Sequence, residues 1–364
     1  MKIIADDNIP FLRGRLEEVA EVVYVDQFGF TPEVVRDADA VVIRTRTRCD
    51  EALLGGSKVR LVAPATIGMD QIDLPWCAAA GIKVSNAPGC NAPGVAQYVW
   101  SALLRMGFDP KRDTLGIVGC GNVGSVVFDW GRQLGVKMLV SDPPKEEAMT
   151  AKETGTTQKG GDISNSNHGE VNSKGGNIDS WQGVVEYVPL DELLRRSDAV
   201  TLHTPLTRDG KYPSYHLIGE KELELIGDGK ILVNAARGPV VDFAALRPHV
   251  LSGRIRTVID TWEGEPKVDE EILAAVDFGT FHIAGYSRQG KERATRMAIE
   301  AVEREFGVTV DKNGLEPVYT GTPGITAEMI IGSYDPTVDS EALKKAPAEF
   351  DRLRRDYCYR DEPR

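Results

Sequence analysis

Three side chains in the C-terminal half have the types and order of a proton-transfer site. They are Arg237 in "NAARGPVVD", Glu265 in "DTWEGEP" and His282 in "FHIAGY". A histidine titrates near neutrality, and a neighbouring carboxylate raises its basicity and fixes its ring. An arginine presents a planar fork that matches a carboxylate. Together they supply what hydride loss from a secondary alcohol demands, a base for the hydroxyl proton and a cation for the oxygen and an adjacent carboxylate. Each also has an ordinary structural reading. A histidine near a strand end is often a satisfied core residue, Glu265 before Pro266 suits a turn, and Arg237 before Gly238 suits a surface ion pair. Spacing alone does not choose.

A second group is more specific. Gly119, Gly121 and Gly124, with Asn122 and Val123 between them, form GxGxxG after the strand-like "TLGIV" and before the helix-like "SVVFDWGRQLG". The first glycine permits a tight turn, the second lets a pyrophosphate approach the backbone, and the third lets helix and strand pack closely. The helix start adds N–H donors and a positive dipole end. Asp142 ends the next strand, where an acid accepts the ribose hydroxyls and repels a 2′-phosphate. The expected cofactor is NAD rather than NADP, and no metal-ligand set is read.

Elements of regular type must carry these groups. "KIIAD", "EVVYVD", "AVVIRT", "VRLVAPA" and "GIKVSNAP" read as strands with helical spacing between them. A helix is expected from "NAPGVAQYVWSALLRMG", with Asn91 as cap and Pro93 in the first turn. Strand and helix then alternate through "AVTLHTP", "KILVNAA" and "RTVIDTW", predicting a second parallel sheet from about 93 to 283. At about 150–184 lies a Gly/Ser/Asn-rich insertion that is nearly free of aliphatics and too polar to build a core. The tail "EALKKAPAEFDRLRRDYCYRDEPR" reads as an amphipathic helix whose Phe350, Leu353 and Tyr357 seek a partner surface.

Composition narrows the partners. A chain of 364 residues with net charge −12 disfavours nucleic acid and anionic membrane. Five cysteines without a CxxC pair fit a reducing compartment, and no apolar run is long enough to span a membrane. A cytoplasmic protein is expected. An anionic ligand would need local cations, and "RTRTRCD" supplies Arg44, Arg46 and Arg48 around Thr45, provided the chain turns at 44–46. For Arg48 a solvated surface role is expected; Arg44 and Arg46 are candidates for phosphate.

From "ATIGMDQID" through "GCGNVG", "LHTP", "NAARGPVVD", "DTWEGEP" and "HIAGY", the chain resembles the D-2-hydroxyacid dehydrogenase family. The openings "DDNIP" and "APGCNA" and the tail "PAEFDRLRRDY" resemble one branch of it, which oxidises 4-phospho-D-erythronate in vitamin B6 synthesis. The likeness spans nearly everything but the polar insertion. It implies two Rossmann-like doubly wound α/β domains plus a small C-terminal α+β domain. These are a flavodoxin-like substrate domain at 1–92 completed by 284–306, an NAD domain at 93–283, and a dimerisation domain at 307–364. It further implies that Arg237, Glu265 and His282 are catalytic. Asp142, Thr204, Ala235, Asp260 and Gly285 fall on NAD positions, and Thr45, Thr66 and Tyr286 on substrate positions. The expected partners are a small phosphorylated 2-hydroxy acid and a second copy of the chain. Thr45 stands for a serine, Ala236 for a frequent Cys and Gln97 for a common Glu. A sister enzyme for another 2-hydroxy acid, of 3-phosphoglycerate or glycerate type, and an NAD-sensing scaffold remain as alternatives.

Overall fold

The computed structural model describes residues 1–153 and 185–364, so the polar insertion from 154 onward lies outside the described residues. Among the described residues the chain forms two compact units. One joins Met1–Asn91 to Arg288–Tyr319, and the other joins 92–153, 185–287 and Thr320–Arg364.

The first unit is built on five short parallel strands: β1 (Lys2–Asp6), β2 (Glu21–Val25), β3 (Ala40–Ile43), β4 (Leu61–Pro64) and β5 (Lys83–Val84). Their order is β2-β1-β3-β4-β5. Parallel strands are buried on both faces and so read as unbroken apolar runs. Here Ile3, Ala5, Val42 and Ala63 pack in one core, while Ile4, Val41, Ile43 and Val62 pack in another on the opposite face. The helix Arg288–Phe306 returns to this unit and lays Ala298, Ile299 and Val302 on the first of these cores. The order reverses between β1 and β3, and ligands bind at such a switch point, outside the carboxyl ends of the strands.

The second unit has six parallel strands: β6 (Thr114–Val118), β7 (Lys137–Ser141), β8 (Ala199–Leu202), β9 (Ile231–Asn234), β10 (Arg256–Ile259) and β11 (Phe278–Gly279). They lie in the order β11-β10-β9-β8-β6-β7, so the reversal falls between β6 and β8. The glycine turn follows β6, His203 and Thr204 follow β8, and the three proton-transfer candidates follow β9, β10 and β11 in turn. Both sheets therefore match the doubly wound α/β expectation.

Two local expectations are corrected. The helix Ala92–Arg105 has Pro93 in its first turn, but the Asn91 side chain does not cap it; Asn91 Oδ1 is buried without a hydrogen-bond partner. The tail is not one helix. It breaks into Pro336–Lys345, a short 3-10 turn at Pro347–Glu349, the helix Phe350–Arg355 and an extended end. Steric clash with a following proline drives a residue out of the helical region, and Ala346, before Pro347, sits at φ −144°, ψ 67°.

The apolar side chains of this tail find their surface within the same unit. Phe350 is 2% exposed in the core around β8 to β10, and Leu353 and Tyr357 pack against that core. Thr320–Arg364 carries the helices Ala327–Ser333, Pro336–Lys345 and Phe350–Arg355, with an isolated bridge from Ser287 to Arg360, and it clusters with the second unit. No helix among the described residues is long and apolar enough to cross a membrane.

Candidate active site

The three loops at the carboxyl ends of β9, β10 and β11 are held by polar side chains and one close backbone contact. Asn234, the last residue of β9, accepts the Ala236 N–H at 3.2 Å through Oδ1. Its Nδ2 donates to the Arg237 carbonyl at 3.0 Å, which fixes the loop carrying Arg237. Arg237 then opens a 3-10 turn, Gly238–Val240, and its Nη1 donates to the Ala236 carbonyl. A Cβ at residue 238 would lie 2.1 Å from the Trp262 carbonyl oxygen, so only glycine lets this loop meet the one that follows β10.

On that second loop, the Trp262 N–H donates to Glu265 Oε2 at 3.1 Å, and Glu265 Oε1 faces His282 Nδ1 at 2.5 Å. Burial pushes the Glu265 carboxyl upward. The hydrogen bond and charge of His282, the Trp262 N–H and the nearby Arg354 outweigh it, leaving the group below its usual range. An ionised carboxylate only accepts, so Nδ1 carries a proton, and it is Nε2 that offers the lone pair in the neutral ring. The half-exposed ring is thus in the tautomer of a base that works through Nε2.

His282 sits at φ +60°, a region that costs a side-chain-bearing residue and persists only where surroundings impose it. Asp260 at the end of β10 supplies that constraint. Its carbonyl accepts the His282 N–H at 2.9 Å, and its carboxylate accepts the N–H groups of Ile283 and Ala284 and the Thr280 hydroxyl. Asp260, expected at a cofactor position, also holds the histidine loop.

The glycine turn has the form its spacing implies. Gly119 has φ +84° and lies against His203 and Thr204, while a Cβ at residue 124 would lie 2.1 Å from the Gly119 carbonyl oxygen. At Gly121 an added Cβ meets nothing within 4 Å. The helix Asn122–Leu134 begins there with no side-chain cap, so its first N–H groups are available to an anion. Thr204 Oγ1 is buried with no partner, as expected of a hydroxyl reserved for a ligand. An open backbone cradle, an uncapped helix start and an unpaired hydroxyl around one switch point suit a dinucleotide.

Asp142 has a second occupation. It accepts the Cys120 N–H at 2.7 Å and the Lys145 N–H at 3.2 Å, so it braces the glycine turn and caps the helix Pro143–Glu153. Ala235 and Gly285 are half-buried on the Arg237 and His282 loops.

In the first unit, the chain leaves β3 after Ile43 and bends at Thr45 and Arg46, both exposed. Arg44 Nη1 donates to the Asn8 carbonyl at 3.1 Å, joining the segments after β3 and β1 at the switch point. Thr66, half-buried, donates to the Gly68 carbonyl at 3.4 Å. Arg48 pairs with Asp50 at 2.6 Å on the surface, as its solvated reading implied. In the second unit, Tyr286 lies against Tyr357 and Tyr359, and Arg354 sits over its ring at 5.7 Å.

Sequence reading missed Asn234, Arg354 and the tail's Arg360. Only Asn234 carried a local signal, a buried-type amide at a strand end. His216, Asp242 and Glu263 bring ligand-type atoms within 4.8 Å of one another. The ring already faces one carboxylate with each nitrogen, Glu263 at 2.7 Å and Asp242 at 3.5 Å. Asp242 also caps the helix Phe243–Leu251, and Glu263 accepts the Phe243 N–H, which makes this trio a brace between loops.

Residues 3–312 match the family described as D-isomer specific 2-hydroxyacid dehydrogenase, catalytic domain. Proteins named erythronate-4-phosphate dehydrogenase are similar over the whole chain. That of Bacteroides fragilis is 41% identical with 97% of its length covered, and that of Escherichia coli O157:H7 is 37% identical with 92% covered. Among solved structures, D-lactate dehydrogenase from Aquifex aeolicus, complexed with NAD and lactic acid, superposes with a TM-score of 0.64 at 23% identity. The match covers 84% of this chain and 96% of that one. The NAD+-bound 3-phosphoglycerate dehydrogenase of Entamoeba histolytica gives 0.63 at 23% identity, over 88% and 99%. These two share the fold.

Proposed function

The chain belongs to the D-isomer specific 2-hydroxyacid dehydrogenase family, and from that premise we propose that it oxidises C2 of 4-phospho-D-erythronate. The product is 2-oxo-3-hydroxy-4-phosphobutanoate, NAD is the acceptor, and the step serves pyridoxal phosphate synthesis. The substrate follows from relatives that are similar from end to end, tail included. The chemistry rests on one observation, the 2.5 Å pair between Glu265 Oε1 and His282 Nδ1.

In this reading His282 Nε2 takes the proton of the C2 hydroxyl as the C2 hydrogen leaves with its electron pair. Glu265 keeps the ring in the reactive tautomer and stabilises the imidazolium that forms. Arg237 holds the substrate carboxylate and steadies charge building on the C2 oxygen. NAD, when bound, supplies the hydride acceptor. Gly119 to Gly124, Thr204, Ala235 and Gly285 would hold it, with Asp142 at the ribose. Asp260 serves the same site by fixing the His282 loop. For Thr45, Thr66 and Tyr286 we propose substrate contacts, and for Arg44 and Arg46 the phosphate.

We also propose that the working form is a homodimer, supported by Ile331 and Val338, apolar and exposed on the C-terminal helices. Incubation of the purified protein with NAD and 4-phospho-D-erythronate, followed by NADH absorbance and by identification of the 2-oxo acid, tests the reaction. Turnover of 3-phosphoglycerate or glycerate in preference to it would replace the substrate while leaving the chemistry.

A further inference from the structure

We infer that the C-terminal tail belongs to the catalytic apparatus, with Arg360 as a positioning residue that holds the loop bearing His282. This rests on the reading of His282 as the base.

Arg360 lies beyond the last helix and is 9% exposed. Its guanidinium spends every N–H. Nε donates to Gln97 Oε1 at 2.9 Å. Nη1 donates to the Ile283 carbonyl at 3.0 Å and the Tyr357 hydroxyl at 3.2 Å. Nη2 donates to the Gly94 carbonyl at 3.0 Å and to the Ala284 carbonyl. The Tyr334 ring covers the cation at 4.2 Å.

Two of those acceptors follow His282 directly, and their N–H groups are the ones that Asp260 holds. Ile283 and Ala284 are therefore gripped from both sides, their N–H groups by a carboxylate and their carbonyls by a guanidinium. This places constraint on the peptides adjoining the strained φ of His282, where the geometry of proton transfer is set. Ser287 extends the arrangement, donating to Glu362 Oε1 at 2.6 Å in a buried contact. Two arms of the five-donor Arg360 fork meet the Ile283 and Ala284 carbonyls together, a geometry that lysine cannot reproduce. The tail thus closes behind the reactive histidine.

The test is a cycle of kcat measurements on Arg360→Lys, Arg360→Gln, His282→Gln and the double variant His282→Gln/Arg360→Gln, with NAD affinity followed by fluorescence. Loosening a catalytic group by about 1 Å costs on the order of 100-fold. Arg360→Gln should lower kcat by ~10- to 100-fold and Arg360→Lys by less, with KM and NAD affinity each within about threefold of the parent, as expected for a loss confined to the transition state. With C2-deuterated substrate, the isotope effect on kcat should rise in Arg360→Lys, because the chemical step has slowed. In the His282→Gln background, removing Arg360 should cost little more. The same loss of rate with and without His282, or an isotope effect unchanged while activity merely tracks the folded fraction, would make Arg360 a packing residue. Should Arg360→Gln fail to fold, the isotope effect in Arg360→Lys still decides. Wild-type turnover in His282→Gln alone would instead overturn the underlying assignment of the base.

Discussion

In the proposed reaction His282 is the base, and Glu265 is what makes an ordinary imidazole fit for that role. The carboxylate is held ionised by His282, by the Trp262 N–H and by Arg354, so it orients the ring without competing for its proton. His282→Gln keeps a polar side chain but removes the base; kcat should fall by ~10²–10⁴ while NAD affinity stays nearly constant. Asp142→Ala should weaken NAD and narrow its preference over NADP, and it also frees the Cys120 N–H that braces the glycine turn. Isothermal titration with both cofactors checks this, and an unchanged ratio would remove Asp142 from the ribose. A pH effect belongs to His203, whose partly buried ring is pushed down to about 3 by desolvation. Between about pH 6.5 and 3 the unfolded chain binds a proton that the folded chain refuses. The stability this group contributes is complete above pH 6.5 and declines as pH falls, with a slope of at most ~1.4 kcal/mol per pH unit, less for the part of the ring that water reaches. Urea unfolding across that range should show a shallower acid slope in His203→Gln than in the parent.

At the scale of elements, the strands were legible because a parallel sheet buried on both faces demands continuous β-branched and aliphatic runs, and "AVVI", "LVAP" and "ILVN" supply them. The glycine turn was legible because Gly119, at φ +84°, and Gly124, against the Gly119 carbonyl, answer steric demands that other residues do not meet. Less was legible where partners are distant in sequence. Asn91 has the residue type of a cap, yet its oxygen is buried without a bond. Tyr357 has helical spacing from Phe350 but lies past the end of that helix. Nothing local to Arg360 announces contacts at Gly94 and Ala284. Phe350 anchors the tail within the core of the second unit, and Phe350→Ala should cost ~3–5 kcal/mol. A thermal or urea midpoint within error of the parent would show that the tail packs independently of that core.

For the molecule as a whole, His282, the proposed base, and its supports lie in the second unit, whereas Thr45, Thr66, Arg44 and Arg46 lie in the first. With Arg46 as a proposed phosphate ligand, Arg46→Ala should raise KM for the phosphorylated substrate far more than for unphosphorylated D-erythronate, since only the former uses charge-assisted bonds to phosphate. Equal effects on both would send the phosphate elsewhere. Val338, 69% exposed, tests the proposed homodimer: light scattering should give a dimer for the parent and a monomer for Val338→Asp. The most direct measurement is the rate of NADH formation from 4-phospho-D-erythronate and NAD, with hydrazine present to trap the 2-oxo product, in the parent and in His282→Gln. Steady NADH formation by the parent, reduced at least ~100-fold in the variant, is the predicted result. No NADH from the parent with this substrate, or equal rates in the two proteins, would contradict the account.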